Sequence, residues 1–86
     1  MYEILLTKQA VKDLERIKQA GLMKSVKLLF NLLEQNPFKT PPRYEKLVGN
    51  LATFYSRRIN HQHRMIYKVL EKQKSVKIER MWTHYE

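Results

Sequence analysis

The 86-residue sequence contains no cysteine. Neither a disulfide framework nor a thiolate metal site is therefore available, and a reducing compartment suits the chain. Long apolar runs are missing as well. The opening Met1-Tyr2-Glu3-Ile4-Leu5-Leu6 passes at once into polar residues, without the apolar core of a signal peptide, and nothing later approaches a membrane span. A cytoplasmic protein without membrane contact is expected. Acid is scarce: 8 Asp and Glu stand against 17 Lys and Arg, giving a net charge of +9 and a pI near 10. That balance suits a polyanion or an acidic protein as partner. The sparse carboxylates weigh against two-metal phosphodiester chemistry, which needs clustered acids. There is no internal repeat or low-complexity segment, and the length fits one domain over 1–86 with a single modest core.

What is present falls into short segments. Tyr2 to Leu6 reads as an opening strand, with Thr7 as N-cap of a helix over Lys8 to Ala20 whose Val11, Leu14 and Ile17 recur at threefold spacing. Gly21 suits the left-handed turn that ends it. A second helix is expected from Leu22 to Gln35, with Leu22, Val26, Leu29 and Leu33 on one face, stopped by Asn36-Pro37. These apolar faces favour core packing over a nucleic-acid-reading helix-turn-helix. Asn36 to Asn50 holds all three prolines and reads as a loop with short extended pieces. Three β-type runs follow, Thr53 to Ile59, Arg64 to Leu70 and Val76 to Tyr85, and predict a meander. The expected fold is α+β, a two-helix hairpin packed on a small twisted antiparallel sheet. Alternation puts Tyr55, Arg57 and Ile59 on one side of the first run and Arg58 on the other; in the last run Val76, Ile78, Arg80, Trp82 and His84 share a face.

The residue types that could do chemistry converge on that sheet. Cleavage of RNA by its own 2′-hydroxyl needs a base, an acid and positive charge at the phosphate. Glu45 and His84 supply acid and base; Arg64 and Arg58 offer the planar fork that suits phosphate; Tyr85 is a further proton donor or stacking surface. Arg57, Arg43 and Lys46 complete the candidate phosphate contacts. Taken singly these are ordinary: a loop carboxylate, a solvated arginine pair, a histidine near a terminus. His61, His63 and His84 lie too far apart in the pattern to favour a metal site, so no metal or other cofactor is expected.

The run Leu51-Ala52-Thr53-Phe54-Tyr55-Ser56-Arg57-Arg58-Ile59-Asn60-His61-Gln62-His63-Arg64-Met65-Ile66-Tyr67, followed by His84-Tyr85, resembles the Txe/YoeB family of toxins in the RelE superfamily. Asn36-Pro37-Phe38, Glu45-x-Leu47 and Asn50-Leu51 extend the likeness. The resemblance implies a ribosome-dependent endoribonuclease that cuts translated mRNA in the A site without a metal. It assigns Glu45 and His84 as base and acid, in either order, Arg64 and Arg58 to the phosphate, and Tyr85 to orienting the nucleotide. It also implies a YefM/Axe-type antitoxin as partner, with operator DNA bound only through that complex, and leaves a homodimer open. The chain departs from the family at the loop Lys39-Thr40-Pro41-Pro42-Arg43-Tyr44, usually rich in glycine and lysine, at Val48, where a lysine is common, and in Glu86 after the terminal pair. Two other readings stay open: a non-catalytic inhibitor like the ParE branch of the superfamily, and a plain RNA-binding module.

Overall fold

The structure, a computed structural model, describes residues 1–49 and 52–82. In chain order its elements are β1 (Glu3–Leu6), α1 (Lys8–Gln19), α2 (Met23–Gln35), β2 (Tyr44–Gly49), β3 (Ala52–Arg58), β4 (Arg64–Leu70) and β5 (Ser75–Arg80). The strands form one five-stranded sheet in the order β1-β5-β4-β3-β2. The expected two-helix α+β architecture is present, but the sheet is mixed: β1 runs parallel to β5, with Glu3 opposite Ser75 and Leu6 opposite Ile78. Three antiparallel pairings from β2 to β5 set the direction of β5, and the helical hairpin returns the chain so that β1 lies along it. Among the described residues no helix is long and apolar enough to cross a membrane.

Helix α1 begins where predicted because Thr7 caps it. The Thr7 hydroxyl accepts from the Ala10 N–H at 3.0 Å and donates to the Glu79 carbonyl at 2.8 Å, tying the helix start to β5. Gly21, at φ +73°, makes the turn into α2. The buried stripe of α2 is Val26, Leu29 and Leu33, as the spacing predicted. The stripe of α1 differs: Val11 is 51% exposed, and the buried residues are Ala10, Asp13 and Ile17. With Met65, Tyr67, Val76 and Ile78 of the sheet they form the core under the helices.

The segment from Asn36 to Asn50, read as a loop with short extended pieces, contains a six-residue strand, β2. Tyr44 to Gly49 pairs antiparallel with β3, putting Tyr44 opposite Arg57 and Glu45 opposite Ser56. Charge and proline hid it; an edge strand needs only one partner and tolerates charged residues. The last β-type run is shorter than expected, ending at Arg80. Ile66 faces Arg80 while Tyr67 faces Ile78, so Glu79 is an extra residue that breaks the alternation. Ile78 and Met81 are buried and Arg80 is exposed, so the expected continuous face through Arg80 does not exist.

Arg57 also departs from expectation. Rather than meeting a phosphate it is fully buried, because it shares the core-facing parity of Tyr55 and Ile59. Its Nε donates to the Tyr67 hydroxyl (2.9 Å), Nη1 to the Pro42 carbonyl (2.6 Å), and Nη2 to the carbonyls of Pro37 (2.9 Å) and Lys39 (2.8 Å). Its guanidinium lies over the Tyr44 ring at 4.9 Å. The Tyr67 hydroxyl in turn donates to Pro37 O at 3.2 Å. One side chain thus fastens the 37–42 segment to the sheet and sets where β2 starts.

Two outcomes are expected. Arg57→Ala strands buried carbonyls without donors, so urea unfolding should show a loss of about 3 kcal/mol or more, and Arg57→Lys should not restore it because one ammonium cannot span the same acceptors. A loss under about 1 kcal/mol would contradict the role given to the guanidinium. Burial pushes the Tyr67 phenol above its ordinary value, and the hydrogen bond and charge of Arg57 only partly oppose this. The fold therefore favours the protonated phenol. That contribution is whole below the unfolded value of about 10 and is lost as pH rises through the folded one. In an ultraviolet titration Tyr67 should contribute a step above the ordinary phenol range that accompanies unfolding, and Tyr67→Phe should delete that step.

Candidate active site

Alternation along β2, β3 and β4 sorts the predicted site residues onto two faces. Tyr44 and Lys46 pair with Arg57 and Tyr55 and so share the helix-covered side. Glu45 pairs with Ser56, Ser56 with Ile66, and Arg58 with Arg64, all on the face away from the helices. The β3–β4 turn fixes this last pair: Asn60 Oδ1 accepts from the N–H groups of Gln62 (2.9 Å) and His63 (2.7 Å), and Ile59 N–H reaches His63 O at 2.9 Å. Arg58 and Arg64 are the first strand pair beyond that turn.

There the side chains converge. Arg64 Nη1 donates to Glu45 Oε1 and to Ser56 Oγ, each at 3.2 Å. Ser56 is buried under this bridge, Glu45 is exposed, and Pro42, Arg43 and Arg58 complete a cleft of about 330 Å³. Of the predicted residues, Glu45, Arg64, Arg58 and Arg43 come together; Lys46 is carried to the other side of β2, and Arg57 is buried behind it. The same open face continues through Lys68 opposite Lys77, and through Arg80. Directly opposed like charges such as Arg58 and Arg64 oppose folding, and the Glu45 carboxylate beside Arg64 offsets part of this repulsion. Chemically the cleft offers an acceptor for a proton beside guanidiniums that can hold a phosphate and the charge it gains in a transition state.

A family model described as the YoeB-like toxin of bacterial type II toxin-antitoxin system matches residues 6–85. The chain belongs to this YoeB family of toxins. Among solved structures it is similar to the YoeB–YefM complex from Staphylococcus aureus, 32% identical with a TM-score of 0.80 over 99% of both chains. The YoeB dimer from the same organism is likewise 32% identical, with a TM-score of 0.82 over 98% of both chains. A YoeB/ParE toxin from Agrobacterium tumefaciens is 25% identical, with a TM-score of 0.85 over 96% of this chain and 99% of that one. A curated toxin YoeB of Synechocystis sp. is 35% identical over 51 residues, 59% of this chain and 59% of that relative.

In this member of the YoeB family the other two predicted catalytic residues, His84 and Tyr85, lie outside the described residues. The backbone leading to them is held by a residue that the sequence did not single out. Asp13 on α1 is buried, and its Oδ2 accepts from the N–H groups of Met81 (2.9 Å) and Trp82 (3.3 Å), while Gln9 Nε2 donates to Oδ1 at 2.8 Å. Trp82 also stacks on the buried His63 ring, with centroids 3.9 Å apart. His63, weighed above as a metal candidate, is packed beside the tail, and among the described residues no cluster of three metal-ligating side chains occurs. The signal for Asp13 was its position: it falls three residues after Ala10 and four before Ile17, on the buried stripe of α1, where a carboxylate needs a partner.

Replacing Asp13 tests that anchor. Asp13→Ala leaves buried N–H groups unpaired and should cost about 2–3 kcal/mol in urea unfolding. Asp13→Asn keeps one acceptor and should cost less.

Proposed function

We propose that this toxin is an endoribonuclease that cuts messenger RNA on the ribosome. The observation that supports it best is the Arg64 bridge between Glu45 and Ser56 facing Arg58, a base and its phosphate clamp on one open cationic face. In the proposed reaction Glu45 takes the proton of a ribose 2′-hydroxyl, and the freed oxygen attacks the adjoining phosphorus. Arg64 and Arg58 hold the phosphoryl oxygens while negative charge builds on them. The bond to the 5′-oxygen breaks, and His84 gives that oxygen a proton. The products are a 2′,3′-cyclic phosphate and a 5′-hydroxyl end. Tyr85 orients the nucleotide. Because these few groups leave much of the positioning of base and phosphate undone, the ribosome supplies it.

The partner reading follows from relatives: a staphylococcal YoeB is solved with YefM and also as a dimer. We extend to this chain an acidic antitoxin of that kind, whose charge complements the +9 surface, and self-association in its absence.

A reconstituted translation system with primer extension tests the catalytic reading. Wild type should create new mRNA ends at A-site codons. Glu45→Gln and His84→Ala should each lower the cleavage rate by about 10²-fold or more, with ribosome binding kept within a few-fold. Translation arrest without new ends, or full cleavage by both variants, would reject it in favour of a non-catalytic inhibitor.

A further inference from the structure

Behind β2, on the side opposite Glu45, lies a second and larger cleft of about 850 Å³. Three rings form its wall. Phe38 and Tyr55 meet edge to face at 5.3 Å and 78°, Tyr44 and Tyr55 at 5.7 Å and 75°, and Phe38 is 36% exposed. Arg43 and Lys46, both exposed, line it, and among the described residues no carboxylate does. We propose that this cleft stacks an unpaired base of the same RNA strand whose phosphate occupies the Glu45 cleft.

Several observations favour a nucleotide. Aromatic faces beside cations are the means by which proteins hold single-stranded nucleic acid, the rings taking the base and the cations its phosphate. The cleft is also built rather than incidental. Tyr55 rests on buried Tyr67 at 5.8 Å and 29°, Tyr44 lies under the Arg57 guanidinium, and Arg57 holds the backbone of the Phe38 segment through the Pro37 and Lys39 carbonyls. Rings held this way lose little freedom when a base arrives. Continuity with the first site comes from Arg43, which lines both clefts. β2 is the edge of the sheet, so an extended strand can pass around it from one face to the other. Alternation alone sends Glu45 to one cleft and Tyr44 and Lys46 to the other. Lys46, absent from the Glu45 cluster, thereby gains a partner.

This inference rests on the ribonuclease reading, so its test must separate the two. Ribosomes are programmed with a message that carries a 2′-O-methyl nucleotide at the cleavage position and photoreactive 4-thiouridine at the flanking positions. Wild type, Arg58→Ala and the double variant Phe38→Leu, Lys46→Gln are added, irradiated and mapped by mass spectrometry. The expected result is a crosslink from the message to Phe38, Tyr44 or Tyr55. On a cleavable message the double variant should raise KM about tenfold, the loss of one stacked base, with the effect in KM rather than kcat. Thermal unfolding of the double variant within a few degrees of wild type shows that the fold is kept. If the complex forms and depends on Arg58, but no message crosslink reaches the cleft and the double variant keeps its KM, the second subsite is wrong and the ribonuclease reading stands. Crosslinks from ribosomal RNA instead of the message, or weakened binding of an acidic antitoxin peptide with RNA cleavage unchanged, also overturn it. Failure of wild type to cut any message rejects the ribonuclease reading itself.

Discussion

A single buried guanidinium organises the half of this protein that carries the candidate site. Arg57 gives its hydrogens to carbonyls of Pro37, Lys39 and Pro42 and to the Tyr67 hydroxyl. A proline-rich stretch has few N–H groups with which to join a sheet, and its carbonyls would otherwise lie against apolar side chains unsatisfied. Arginine answers this because its rigid fork serves several acceptors at once. With the stretch fastened, β2 starts at Tyr44 and pairs in the register that brings Glu45 beside Ser56 and within reach of Arg64. The two adjacent arginines of the Ser-Arg-Arg sequence thus divide their work: the first holds the scaffold, the second faces solvent across from Arg64.

The helices hold the opposite side of the sheet. α1 is fixed to β5 at its start by the Thr7 hydroxyl and in its middle by Asp13, which receives the backbone of Met81 and Trp82. These contacts act where β5 has stopped and its N–H groups need new acceptors. On the face away from the helices Arg58 stands directly opposite Arg64, a pairing of like charges that a purely structural sheet avoids.

Much of this was legible in the amino-acid order, and the exceptions have physical causes. Both helices, the β3–β4 hairpin and the outward Arg58 followed from period and parity, since a residue's side is fixed once Ile59 is placed in the core. Arg57 obeyed the same parity, yet its charge argued for the surface; only the position of the prolines explains why a charge belongs inside. Asp13 misled in the same way, being a polar residue on an apolar stripe. β2 was hidden because an edge strand with one partner needs little hydrophobic alternation. The parallel β1–β5 pairing and the extra residue at Glu79 depend on contacts between segments far apart in sequence, which no local pattern encodes. The family likeness named Glu45 and Arg64 together; their distance could come only from the fold.

The parallel pairing of β1 with β5 bears on when the toxin becomes dangerous to the cell that makes it. Among the described residues Glu3 to Leu6 pairs with Ser75 to Ile78 alone, and contacts of such sequence separation are slow to form. During synthesis the amino-terminal strand and both helices leave the ribosome with their apolar faces uncovered, waiting for residues not yet polymerised. Until then the nascent chain cannot complete its sheet. The interval before β5 emerges is also one in which a helper protein already present can claim those faces first.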